Sequence, residues 1–179
     1  MDHFAIKNGV MHAEDLPLTA IAEAVGTPVY VYSRATLERH ARVFKDALAH
    51  LPRTHIAFAI KANPNLAVLK VMQREGLGAD VVSGGELARA LAAGMASRDI
   101  VFSGVGKTAA EMVQGLDAGI GQFNIESEEE GIELAALAAA RGQVAACALR
   151  VNPDVDARTH EKISTGKAEN KFGVPIDRA

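Results

Sequence analysis

Apolar positions along this chain follow two alternating rhythms. Five short runs rich in β-branched or apolar residues recur at a steady interval: HIAFAI from His55, ADVV from Ala79, IVFS from Ile100, QFNI from Gln122 and VAACALRV from Val144. Their starts lie 24, 21, 22 and 22 residues apart. Between them, residues 66–75, 85–93, 109–118 and 128–141 carry apolar side chains at helical spacing. The pattern therefore predicts strand and helix in regular alternation. Strands joined through helices must run parallel, and several of these are apolar at nearly every position, as expected when helices cover one face and packed side chains the other.

Local signals agree. Asn63 followed by Pro64 has the form of an N-cap with proline at the first helical position, while Ser83 with Glu86 and Ser127 with Glu130 have the spacing of a capping box. Gly76, Gly94, Gly119 and Gly142 fall near the helix ends, where glycine readily makes a left-handed cap. Upstream, residues 33–50 read as a helix entered from VYVYS, and residues 1–32 form a less regular lead-in expected to hold a strand and a short helix. Downstream, residues 152–171 are polar, charged and too long for an ordinary connection, which favours a functional loop. Pro175 then offers the start of a further helix. A βα repeat fits either a doubly wound open sheet or a barrel, and the repeat alone does not choose between them.

Composition narrows the chemistry. The 179 residues are 49% hydrophobic and 23% charged, enough to bury a core, and their net charge of −3 with no basic stripe argues against nucleic acid or an anionic membrane as partner. A small-molecule substrate is the better expectation. The single Cys147 excludes an internal disulfide and reads as a small core residue in a reducing compartment; no stretch has the length and apolarity of a membrane span or signal peptide, so a cytoplasmic location is expected. His3, His12, His40, His50 and His55 lack paired ligand spacing, and no metal site is expected.

Lys61 follows directly on the apolar run HIAFAI, at the carboxyl end of a predicted parallel strand, where parallel α/β folds place their active sites. Partial desolvation there disfavours the ammonium form and makes the amine available for a Schiff base. Position alone equally allows a lysine whose stem covers the strand end while its head meets water. Two other motifs are broken. SGVGKT resembles the end of a phosphate-binding loop, but the required glycine five places before Gly106 is Val101, which leaves a strand-to-helix turn. Gly76 and Gly78 begin a dinucleotide-like fingerprint that fails at Val81. The acidic run from Glu126 to Glu130 reads as an electrostatic aid to a helix N-terminus.

FAIKANPN around Lys61 resembles the segment that carries the cofactor lysine in fold-type III pyridoxal-phosphate enzymes. YVYS from Tyr30, GLGADVVSGGEL from Gly76, FSGVGKT from Phe102, NIESEEE from Asn124, LRVNPDVDA from Leu149 and HEKISTGKAENKFGV from His160 resemble, in the same order, the diaminopimelate decarboxylase family. AIKAN-like strings also occur in ornithine and arginine decarboxylases, with a relative in alanine racemase; the HEKISTG and NKFG pieces favour diaminopimelate decarboxylase. The resemblance implies a (β/α)8 TIM barrel of the alanine racemase-like class, pyridoxal 5'-phosphate as cofactor, a homodimer, and conversion of meso-diaminopimelate to L-lysine and carbon dioxide. It implies that Lys61 holds the cofactor through its amine and later surrenders it to the substrate, with the cofactor ring accepting the electrons left behind. Asp80 matches a position beside the cofactor, the alternative being a strand-end or capping carboxylate. Arg150 matches an arginine near the cofactor, the alternative being an ion pair at the barrel mouth. His160 and Ser164 are substrate-facing candidates in the polar loop, against the plainer reading of a solvated loop.

Length sets the remaining expectation. A full barrel takes ~250 residues, and three further units of about 22 residues would add about 66. Residues 33–179 are therefore read as about five of eight βα units of an incomplete barrel. The family's remaining strands, its cofactor-stacking histidine, its glycine-rich phosphate loop and its C-terminal β-sandwich have no counterpart, and the chain reads as the N-terminal portion of a longer enzyme. The alternatives are a noncatalytic cofactor-binding or assembly fragment, or a decarboxylase for ornithine or arginine.

Overall fold

The alternating rhythm of the sequence becomes a parallel sheet lined by helices. The computed structural model describes residues 2–152 and 173–176. At its start, β1 (Phe4–Lys7), β2 (Val10–Ala13) and β3 (Leu16–Pro17) form an antiparallel meander. Asn8 and Gly9, both at positive φ, make its first turn, the residue pair that two-residue hairpins prefer. With α1 (Leu18–Val25) this lead-in holds more strand than the sequence predicted, because four-residue strands are too short to display a period.

The lead-in is fastened to α2 (Arg34–Leu48). Ser33 caps that helix by accepting the Thr36 N–H at 3.0 Å and donates its hydroxyl to Glu14 at 2.8 Å; the same Glu14 oxygen accepts the Ala35 N–H at 2.9 Å. These donors, the Ala35 amide first, hold the Glu14 carboxyl below its ordinary pKa.

The repeating part then runs β4 (Ala57–Ala59), α3 (Leu66–Arg74), β5 (Gly78–Val81), α4 (Gly84–Ala92), β6 (Ile100–Phe102), α5 (Ala109–Ala118), β7 (Gln122–Ile125), α6 (Glu128–Ala139) and β8 (Cys147–Leu149). All five strands are parallel, and their order in the sheet is their order in the chain. A doubly wound sheet reverses strand order at a switch point. This one does not, so the repeat is five units of an incomplete (β/α)8 barrel. Beyond β8, β9 (Val151–Asn152) pairs in parallel with β10 (Val174–Pro175). Pro175 thus belongs to a short strand rather than opening a helix.

Register puts alternate residues on opposite faces. Ala79, Val81, Ile100, Phe102 and Phe123 point to the helices and are buried there with Leu69, Leu87 and Met112. The Phe102 and Phe123 rings stack at 6.1 Å. Side chains of this size each contribute about 1.5–3 kcal/mol on full burial, so the helix-facing layer holds the strands in place. The opposite face carries the polar residues described below.

The helix signals are mostly realised, with three corrections. α3 is capped by Asn65, whose side chain accepts the Ala67 N–H at 2.8 Å, and not by Asn63. Asn63 is extended, as a residue before proline prefers to be. Ser83 and Ser127 do accept the N–H groups of Glu86 and Glu130, but those glutamates reach back one residue further, to the amides of Val82 and Glu126. The reciprocal box lies instead at Thr108 and Glu111, which open α5. Gly76, Gly94, Gly119 and Gly142 all adopt the left-handed conformation expected of them. Cys147, read as a core residue, is exposed, because among the described residues β8 is one of the two edges of the five-stranded sheet.

Candidate active site

At the carboxyl ends of β4 to β8 the sheet opens into a cavity of about 680 Å³, lined by Lys61, Asp80, Ser103, Asn124, Glu126 and Arg150 among others. They come from all five units of the repeat, Asn124 and Glu126 from the same one. Lys61 sits in the short 3₁₀ turn Ile60–Ala62 that follows β4, with Ile60 fully buried behind it and Lys61 itself exposed. Ile60 packs into the core while Lys61 lines the cavity. It has no hydrogen-bonding partner among the described residues.

Asp80 is next to the last residue of β5. Its Oδ1 accepts the Ser103 hydroxyl at 2.5 Å, Ser103 Oγ accepts the Asn124 side-chain amide at 3.0 Å, and Asn124 Oδ1 accepts the Gln122 side-chain amide at 2.7 Å. A line of hydrogen bonds thus crosses β7, the end of β6 and β5 along the cavity-facing side. Ser103, Asn124 and Gln122 were not singled out from the sequence. Their signal was a polar residue at the inward position of strands whose other positions are apolar.

Arg150 follows β8 and reaches Glu126 at 3.0 Å. Both sequence readings of this residue are compatible with that placement: it lines the cavity and it is ion-paired at the mouth. Glu126 is buried, and its second oxygen accepts the Gly173 N–H at 3.1 Å, which brings the approach to β10 against the site. The acidic run is therefore more than a helix-terminal field, since Glu126 and Glu130 are both buried and individually paired. His160 and Ser164 lie outside the described residues.

Lys107, the lysine of the broken phosphate-loop motif, is turned into the protein. Its side chain is 1% exposed and its ammonium donates to Glu130 at 2.7 Å, to the Gly104 carbonyl at 2.8 Å and to the Asn124 carbonyl at 2.6 Å. All three ammonium protons have acceptors. The turn after β6 is thereby tied to β7 and to the first turn of α6. Glu111 performs a similar service one unit earlier: its carboxylate accepts the Gly84 amide and, from Thr108, both amide and hydroxyl. Those amides, Gly84 first, hold its carboxyl below the ordinary value.

The donor set suits pyridoxal phosphate. It offers a primary amine free to attach to an aldehyde, a carboxylate fixed as an acceptor, and a guanidinium for an anion or ring oxygen, in a cavity within the usual range of about 300–1,000 Å³ for small ligands. A parallel βα barrel with a lysine at such a strand end is an arrangement that fold-type III pyridoxal-phosphate-dependent enzymes share with other Schiff-base-forming barrels. Residues 34–179 match the family described as pyridoxal-dependent decarboxylase, pyridoxal binding domain, and the chain belongs to that family. It is 54% identical over 178 residues to the diaminopimelate decarboxylase of Zymomonas mobilis, covering 98% of this chain and 42% of that protein. The crystal structure of diaminopimelate decarboxylase from M. jannaschi superposes with a TM-score of 0.90 at 37% identity, over 98% of this chain and 42% of the other. That of the Helicobacter pylori enzyme complexed with L-lysine gives 0.83 at 39% identity, over 88% and 40%. The chain thus spans about two fifths of the length of the relatives it matches. Among the described residues, no helix is long and apolar enough to cross a membrane.

Proposed function

We propose that this chain supplies the lysine-bearing part of a diaminopimelate decarboxylase, acting on meso-diaminopimelate to give L-lysine and carbon dioxide, with Lys61 as the residue that holds the cofactor. The observation that carries the reading is the convergence of Lys61, Asp80 and Arg150 on one cavity from three different units of the repeat. The 54% identity to an enzyme of that name supports the substrate over ornithine or arginine. Pyridoxal phosphate, when bound, supplies an electron sink for the carbon that loses its carboxylate.

The residues of this chain supply attachment, orientation and charge. The Lys61 amine would hold the cofactor by its aldehyde, and its Nζ, lying in the cavity, would be placed to hold or deliver a proton at the reacting carbon. Asp80, an acceptor toward Ser103 and part of the cavity lining, would accept from a donor on the ligand. Arg150, braced by Glu126, presents positive charge to an anionic group or ring oxygen. The homodimer and cytoplasmic location expected from the sequence belong to the same proposal.

Reconstitution tests it. The protein mixed with pyridoxal phosphate should develop absorbance near the edge of the visible range, and borohydride should fix the cofactor's mass on the peptide containing Lys61; Lys61→Ala should show neither. Label on another residue, or none, rules the assignment out. Rates of the full-length protein on diaminopimelate, ornithine and arginine decide the substrate, and its sedimentation decides the dimer.

A further inference from the structure

The hydrogen bonds that end on Asp80 have a direction, and the direction carries information. A serine hydroxyl has one proton to give. At Ser103 the acceptor side is taken by the Asn124 amide at 3.0 Å, so the hydroxyl proton is committed to Asp80, at 2.5 Å. Asn124 is held in the orientation that donates because Gln122, one layer deeper in β7, donates to its carbonyl oxygen at 2.7 Å. Every donor points toward Asp80. In this arrangement Asp80 is the acceptor at the end of the line, and it lines the cavity shared with Lys61 and Arg150.

We propose that Ser103 and Asn124 are positioning residues for Asp80: through Gln122, Asn124 and Ser103 the barrel wall fixes both the place and the acceptor character of the carboxylate that meets a donor on bound pyridoxal phosphate. The inference rests on the reading that the cavity holds this cofactor. The backbone agrees with it, because the Ser103 N–H is held by the Val81 carbonyl at 2.8 Å and the Asn124 carbonyl by Lys107 at 2.6 Å, so both links of the line start from fixed points.

The test uses equilibrium affinity for pyridoxal phosphate and the absorbance band of the bound form, neither of which requires turnover. Ser103→Ala removes the last donor and should raise the dissociation constant roughly tenfold, the scale of one hydrogen bond to a charged group, with a shifted band. Ser103→Thr keeps the hydroxyl and should stay within about threefold of the parent. Asn124→Asp is the sharper variant: nearly isosteric, it replaces a donor with an acceptor, draws the Ser103 proton away from Asp80, and should weaken binding at least as much as Ser103→Ala. It carries the test should Ser103→Ala not fold. Parent-like affinity and an unshifted band in Ser103→Ala and Asn124→Asp, with any loss confined to the thermal unfolding midpoint, would show a merely structural role and overturn the inference. If the parent protein itself takes up no cofactor on Lys61, the reading beneath the inference fails and the inference goes with it.

Discussion

Glu126 is a buried carboxylate whose two oxygens each have a donor, the Arg150 guanidinium at 3.0 Å and the Gly173 N–H at 3.1 Å. Replacing it with glutamine keeps the shape but offers one acceptor where two are needed, so a donor faces a donor at Arg150 or at Gly173. Glu126→Gln should cost about 1–3 kcal/mol in chemical denaturation and weaken whatever anion Arg150 serves; unchanged stability would show that the pair is not holding. At this scale the sequence was informative where a residue's place in the repeat was enough. Lys61 could be picked out because it ends an apolar run, and Arg150 because it ends another. Ser103 and Asn124 were illegible, since a polar residue near the end of a strand looks the same whether it begins a turn or lines a cavity. Only the lateral register brings Asp80, Ser103 and Asn124 side by side.

Elements are joined here by buried polar groups as well as by apolar packing. Lys107 leaves the turn before α5, and Glu130 sits in the first turn of α6, so their ion pair couples two successive units. Lys107→Met preserves length and apolar stem but leaves Glu130 buried without its cation, along with two carbonyls that lose a donor. A loss of about 3–5 kcal/mol is expected, and the double variant with Glu130→Met should be less destabilised than the sum of the two single changes, the sign of direct coupling. Additive effects in equilibrium unfolding would show that the residues act separately. The helices themselves were legible, because apolar spacing, serine and threonine caps and glycine ends are local signals. Their detailed caps were less so. Whether a glutamate closes on its own cap, as Glu111 does, or on the residue before it, as Glu86 and Glu130 do, depends on what neighbouring units leave available.

Across the whole molecule, two carboxylates fasten parts that are distant in sequence. Glu14 secures the lead-in to α2, and Glu111 secures the start of α4 to α5. Backbone and hydroxyl donors hold both below the ordinary glutamate value. A depressed folded pKa means that the unfolded chain takes the proton first on acidification. The stabilisation is therefore fully present above the unfolded value of about 4.3 and is lost as pH falls through the lower folded values. Urea midpoints should drop between about pH 5 and pH 3, and the Glu14→Gln, Glu111→Gln variant should show a shallower drop; an equal slope would remove these two groups as the cause. The sequence by itself determined the strand-helix repeat, its interval and the strand end that carries Lys61, because periodicity, caps and turns are written in neighbouring residues. Only the tertiary structure decided that the strands follow one another without reversal into a barrel wall, that Lys107 is buried as a tie rather than offered to a phosphate, and that Ser103 and Asn124 lie in one line of hydrogen bonds with Asp80. Those outcomes depend on contacts between residues some twenty places apart or more, which no local pattern encodes.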